Sequence, residues 1–172
     1  MNSAMFRSLA IAAAATALLP FAASAAEIDL GAALPAVHGV DQDNQPVDLQ
    51  AAGGQGFTLV YFYPKADTPG CTKQACSLRD GYAKLQDKGV RIFGVSGDDV
   101  ASQKAFEAKY HLPFRLIADH DQKVMDAFGV PHHMSFATRQ AFLFKDGKLV
   151  WRDLHAATEQ QAADVLAAIA KL

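Results

Sequence analysis

An α/β fold, with a mixed central sheet flanked by helices, is predicted by three features of the chain. Apolar strand-like runs alternate with helical patterns between residues 57 and 128, which calls for a sheet with a parallel part. A strong hairpin signal follows, 140–144 and 148–152 around Asp146-Gly147, and adds antiparallel strands. A second hairpin stands at the start, 37–40 and 46–49 around the turn-rich Asp41-Gln42-Asp43-Asn44.

The first residues are set apart from this fold. Arg7 is the only charge before Glu27, an Ala/Leu-rich run fills 9–19, and Ala23-Ser24-Ala25 comes next. Basic start, short apolar middle and A-x-A end are the parts of a secretory signal peptide. Residues 1–25 are therefore expected to be a signal, cut after Ala25 or, as second choice, Ala26, and 26–172 to be one domain. The apolar run is shorter than the roughly 20 residues of a spanning helix. No stable membrane insertion is expected after cleavage. The expected address is export, with the periplasm first, an oxidising compartment.

Within the domain, residues 28–34 form an irregular lead-in closed by Pro35. After the first hairpin, Gly53-Gly54-Gln55-Gly56 is a loop, and Phe57-Thr58-Leu59-Val60-Tyr61-Phe62-Tyr63 is a buried strand. A helix is expected next, with Leu78, Tyr82 and Leu85 on one face, ending near Lys88-Gly89. Residues 91–96 form a second apolar strand, Gly97-Asp98-Asp99 breaks it and offers a helix cap, and 100–110 is a helix stopped before Pro113. Residues 114–117 are a short strand, 123–128 a brief helix closed by Gly129, and Thr158 caps a last amphipathic helix bearing Val165, Leu166 and Ile169.

The chemistry concentrates in Pro64-Lys65-Ala66-Asp67-Thr68-Pro69-Gly70-Cys71-Thr72-Lys73-Gln74-Ala75-Cys76. Cys71 sits where the strand passes through a Pro/Gly turn into the helix. Backbone N–H groups at a helix start favour a negative sulfur, so a reactive thiol is expected there. The chain holds only two cysteines, both in this segment, and a domain of this size needs no disulfide staple. Two thiols placed so close point to chemistry more than to architecture.

These residues resemble a peroxiredoxin. The family motif P-x-x-x-[TS]-x-x-C is met by Pro64, Thr68 and Cys71, and the string from Thr68 to Cys76 is similar to the peroxiredoxin Q, or bacterioferritin comigratory protein, group. The likeness continues through Val95-Ser96-Gly97-Asp98, Phe106-Glu107-Ala108-Lys109-Tyr110, Leu112-Pro113-Phe114 and Phe128-Gly129-Val130. Two departures stand out. The segment between Gly129 and Arg139 is short, and the family's R-x-[ST]-F is Arg139-Gln140-Ala141-Phe142 here.

The resemblance implies a thioredoxin-like fold and a thiol-dependent peroxidase acting on hydrogen peroxide and organic hydroperoxides. It implies Cys71 as peroxidatic and Cys76 as resolving cysteine, with Thr68, Arg139 and Pro64 completing the site. A thioredoxin-like dithiol is the implied reductant. No metal or organic cofactor is implied, and the assembly expected is a monomer or weak dimer. Five helical residues separate two Cα atoms by about 8.6 Å, beyond the roughly 7 Å a disulfide tolerates. Joining Cys71 to Cys76 therefore demands that the first turns of the helix unwind.

Rival readings come from other classes. A thiol–disulfide exchange protein usually carries C-x-x-C, which this chain lacks. A copper-binding chaperone would use Cys71, Cys76 and a histidine, with His132-His133-Met134 as the nearest suggestion, although adjacent loop histidines are more often solvated. The net charge of −2 gives no footprint for a nucleic-acid partner.

Overall fold

The computed structural model describes residues 27–172; the expected signal peptide, residues 1–25, lies outside the described residues. Its centre is strand β3 (Phe57–Phe62), whose side chains are almost all buried. It pairs in parallel with β4 (Val90–Ser96) and antiparallel with β8 (Gln140–Lys145). With β5 (Arg115–Ala118) and β9 (Lys148–Asp153) these give a mixed sheet in the order β5-β4-β3-β8-β9. The expected thioredoxin-like arrangement, with its N-terminal hairpin, is what the chain adopts.

Strand period divides the interior in two. Leu59, Tyr61 and Tyr63 point to one face, where they meet α2 (Pro69–Asp80), α3 (Tyr82–Asp87), α4 (Val100–Tyr110) and α6 (Gln161–Ile169) through Leu78, Leu85, Phe106 and Val165. Val60 and Phe62 point to the other, against Phe142, Phe144, the N-terminal segment at Leu34 and Val37, and α5 (Lys123–Phe128) through Met125 and Phe128. Phe62, Phe128 and Phe142 meet edge-on at ring separations of 5.2 to 5.8 Å, a favoured aromatic geometry.

Local chemistry explains most element ends. The Asp41 carboxylate accepts from Asp43 N–H and Gln45 N–H and closes the hairpin β1 (His38–Val40) to β2 (Pro46–Asp48). Asp99 caps α4 by accepting from Ser102 N–H at 2.8 Å. Asp119 accepts from Val124 and Met125 N–H at 2.9 Å each and opens α5, which Gly129 closes in the left-handed region. Asp146 and Gly147 both take positive φ, as a two-residue hairpin turn requires.

Four expectations change. Leu49–Gly53 is a short helix, α1, started by the Asp48 carboxylate on Ala51 N–H, where a plain loop was expected from 53 on. The cysteine helix does not run to Lys88 but breaks at Gly81. A Cβ on Gly81 would stand 2.6 Å from Ala162 Cβ, so glycine permits α6 to approach there at the cost of helix continuity. The last helix starts at Gln161, and Thr158 does not cap it. The short 129–139 segment contains a miniature hairpin, β6 (His132–His133) and β7 (Phe136–Ala137). Trp151 is half-buried and packs at the edge of the first core.

Candidate active site

Strand β3 delivers the chain to the loop 64–68 at the carboxyl end of this central strand. Tyr63 N–H still bonds Val95 O at 3.1 Å, and Pro64 then turns the chain away. The loop is held from β4. Ala66 N–H donates to Asp98 Oδ2 at 2.8 Å, and the Ser96 hydroxyl donates to the same oxygen at 2.7 Å. Gln103 Nε2 donates to Ser96 Oγ at 2.8 Å and to Ile117 O at 3.0 Å, while the Tyr63 hydroxyl donates to Gln103 Oε1. Burial pushes the Tyr63 phenol up, so it remains a neutral donor. Asp67 adopts a positive φ of 58°. Its carboxylate accepts from Lys109 Nζ at 2.7 Å and from the Tyr110 hydroxyl at 2.6 Å, and these bonds hold the carboxyl below its usual range.

Helix α2 begins with Thr68 as its extended N-cap residue and Pro69 at the first helical position. Thr68 Oγ1 donates to Lys65 O at 3.0 Å and makes no cap bond. The first helical bond is Thr72 N–H to Thr68 O at 2.8 Å. Gly70 and Cys71 N–H consequently have no helical acceptor and point out from the helix start. Cys71 is 1% exposed and packs with Tyr61, Tyr63 and Ala75.

Arg139 lies in the two-residue link between β7 and β8. Its Nη2 donates to Cys71 Sγ at 3.4 Å, and its Nη1 donates to Gln74 Oε1. A Cβ on Gly70 would stand 3.2 Å from Nη2, so the glycine leaves room for the guanidinium. Gln74, fully buried on α2, passes the contact on: its Nε2 donates to Gln161 Oε1 at 2.7 Å. Cys76 follows on the same helix, half-buried, and neither cysteine is in a disulfide. The structure thus brings Cys71 and Arg139 together at the end of the loop that Pro64 opens and Thr68 closes. It holds Cys76 apart on the continuous helix.

Sequence reading missed Gln74 and Gln161. Gln74 stood inside the motif string, but a glutamine on a helix carries no signal until its burial and its facing guanidinium are seen. It also passed over Asp98, whose i, i+2 relation to Ser96 at a strand end was the available clue. His132 is taken up elsewhere, with Nε2 3.1 Å from Asp126 Oδ1 and Nδ1 3.1 Å from Met134 O. Among the described residues no three His, Cys, Asp or Glu side chains gather as a metal site would need.

Residues 30–152 match the model of the AhpC/TSA family. The chain is 44% identical over 138 residues to the chloroplastic peroxiredoxin Q of Triticum aestivum, covering 76% of this chain and 63% of that one. It is 47% identical over 106 residues to that of Arabidopsis thaliana, covering 62% and 49%. The match spans less than two thirds of the length of either plant relative. Among solved structures, peroxidoxin BcpB of Mycobacterium tuberculosis superposes with a TM-score of 0.80 at 26% identity, over 85% of this chain and 99% of that one. A cysteine mutant of Xanthomonas campestris peroxiredoxin Q superposes with a TM-score of 0.75 at 28% identity, over 86% and 98%. These relatives correct the expected exported or periplasmic address: the plant proteins named here are chloroplastic.

Proposed function

The chain belongs to the AhpC/TSA family, and on that premise we propose that it is a thiol-dependent peroxidase of the peroxiredoxin Q kind, reducing hydrogen peroxide and organic hydroperoxides. The observation that carries this reading is the Arg139 guanidinium 3.4 Å from the Cys71 sulfur at a helix start with unused N–H groups. Both features aim N–H donors at the sulfur and at whatever binds beside it. The same donors suit a peroxide, which presents two adjacent oxygens.

In the proposed cycle the Cys71 thiolate attacks the distal oxygen of ROOH. A sulfur–oxygen bond forms, the oxygen–oxygen bond breaks, and ROH leaves after taking one proton. Arg139 and the Gly70 and Cys71 N–H groups bind the oxygens and stabilise charge on the departing one, in the manner of an oxyanion hole. Thr68 Oγ, which spends its own proton on Lys65 O, accepts the hydrogen of the peroxide. Pro64 offers no N–H and shields the sulfur from water. The Cys71 sulfenic acid then condenses with the Cys76 thiol, releasing water and forming a disulfide. A thioredoxin-like dithiol reduces that disulfide by exchange and becomes oxidised itself. The scheme uses no metal or organic cofactor.

The domain is assigned to residues 26–172, acting as a monomer or weak dimer. The exchange-protein and copper-chaperone readings are not favoured: the chain lacks C-x-x-C, and His132 is bonded to Asp126 and Met134. Peroxide consumption by residues 26–172 with a protein dithiol, in metal-free buffer, tests the proposal. Turnover that survives chelation and requires Cys71 supports it. Absence of peroxide consumption, with exchange activity or copper binding instead, overturns it.

A further inference from the structure

We propose that Gln161, on the last helix, is a positioning residue for Arg139 and acts through Gln74. The inference rests on the peroxidase reading above. It starts from amide chemistry. Arg139 can only donate, so the oxygen of Gln74 must face it. The NH2 of Gln74 is then forced to the other side, where it needs an acceptor. Gln161 Oε1 supplies one at 2.7 Å. That orientation leaves Gln161 Nε2 buried with no partner among the described residues. Leaving a buried donor unpaired is costly. The arrangement therefore trades the comfort of Gln161 for the orientation of Gln74, and through it for the aim of Nη2 at Cys71 Sγ.

The backbone around Gln161 is fixed against α2 independently of this relay. Ala162 N–H donates to Ser77 Oγ at 3.2 Å, and Glu159 pairs with Lys73 at 2.6 Å. Ala156 N–H donates to Arg139 O at 3.3 Å. One segment, 156–162, so touches the main chain of the arginine and the helix of the cysteine. Gln161 lies beyond residues 30–152, the span matched by the family model. Its part is a property of how this chain packs its C-terminal helix, and the active-site motif does not reveal it.

The test is the rate of Cys71 oxidation by hydrogen peroxide in a single turnover, followed in the Cys76→Ser protein with a sulfenic-acid trap, alongside thermal melts. Gln161→Leu is expected to slow oxidation by roughly two- to tenfold, the worth of one hydrogen bond. Gln161→Glu keeps an acceptor for Gln74 and is expected to recover most of the rate. In a Gln74→Ala protein, Gln161→Leu is expected to add no slowing, because the relay is already cut. Lys73→Met removes a neighbouring contact without touching the relay and is expected to leave the rate unchanged. A parental rate in Gln161→Leu overturns the assignment. So does undiminished slowing in the Gln74→Ala background, or failure of the glutamate to recover the rate. If the Cys76→Ser parent itself is not oxidised at Cys71, it is the peroxidase reading that fails.

Discussion

Asp98 Oδ2 accepts the backbone N–H of Ala66 at 2.8 Å, so the end of β4 holds the loop that leads into the reactive helix. The same oxygen takes the Ser96 hydroxyl, and Gln103 and Tyr63 extend the network into the core. Asp98→Ala is expected to lower stability by about 1–3 kcal/mol, the cost of leaving such partners unpaired. It is also expected to slow Cys71 oxidation, because loop 64–68 loses its tether. A chemical melt and a single-turnover oxidation rate check both. An unchanged oxidation rate would show that Pro64 and Thr68 hold the loop without Asp98.

Cys71→Ser is expected to abolish peroxide consumption, since a serine hydroxyl is a far weaker nucleophile than a thiolate near neutral pH. Cys76→Ser is expected to react once and leave a sulfenic acid that a nucleophilic trap captures. Normal turnover of Cys76→Ser with a protein dithiol would remove Cys76 from the resolving role.

Arg139→Ala is expected to slow the first oxidation on the order of 10²- to 10³-fold, the usual loss for a charge-stabilising donor. Its half-buried side chain sits beside the helix start, so the fold is expected to survive. The oxidation rate at fixed pH and a melt taken together separate these effects. A parental rate would mean that another donor stabilises the sulfur.

Cys71 and Cys76 lie on one continuous helix, so disulfide formation is expected to unwind its first turns. Opening near a helix end costs far less than global unfolding. Amides from 68 to 78 are expected to exchange faster in the oxidised protein than in the reduced one, with β3 unchanged. Equal protection in the two redox forms would contradict the bond or the unwinding.

The Asp126 carboxylate, bonded to His132, holds the imidazole above its usual value; burial opposes this and the Met134 carbonyl assists. The folded protein therefore binds that proton more tightly than the unfolded chain. The stabilisation is full below about pH 6.5 and is lost as pH rises through the raised folded value. The Asp126 side chain is 66% exposed, so the effect is expected to stay below about 1 kcal/mol. Melting temperatures of the parent and of His132→Gln are expected to differ most at acid pH and to converge at alkaline pH. Divergence in the opposite direction would refute the pairing.

Much of this was legible in the chain because local rules govern it. The hairpin at Asp146-Gly147, the Asp99 cap and the Gly129 stop depend on neighbours in sequence, and they stand where those neighbours put them. The cysteine helix was legible at its start for the same reason. Its end was not, because Gly81 answers to Ala162 on another helix. Thr158 looked like a cap, but α6 begins three residues later, at Gln161. Gln74 and Gln161 were illegible in principle. Each is an ordinary helical glutamine until the fold sets Arg139 on one side and a dry interior on the other.

The sheet separates the protein into two interiors, and only one of them holds Cys71. The proposed cycle, which unwinds the start of α2, would draw on the first, at Ala75 and Leu78. The second, with Phe62, Phe128, Phe142 and Met125, lies outside the segment that the proposed cycle unwinds. Engineering for heat tolerance belongs there, since tighter packing on that face leaves the ease of unwinding on the opposite face as it is. Reinforcing α2 itself would trade turnover for robustness.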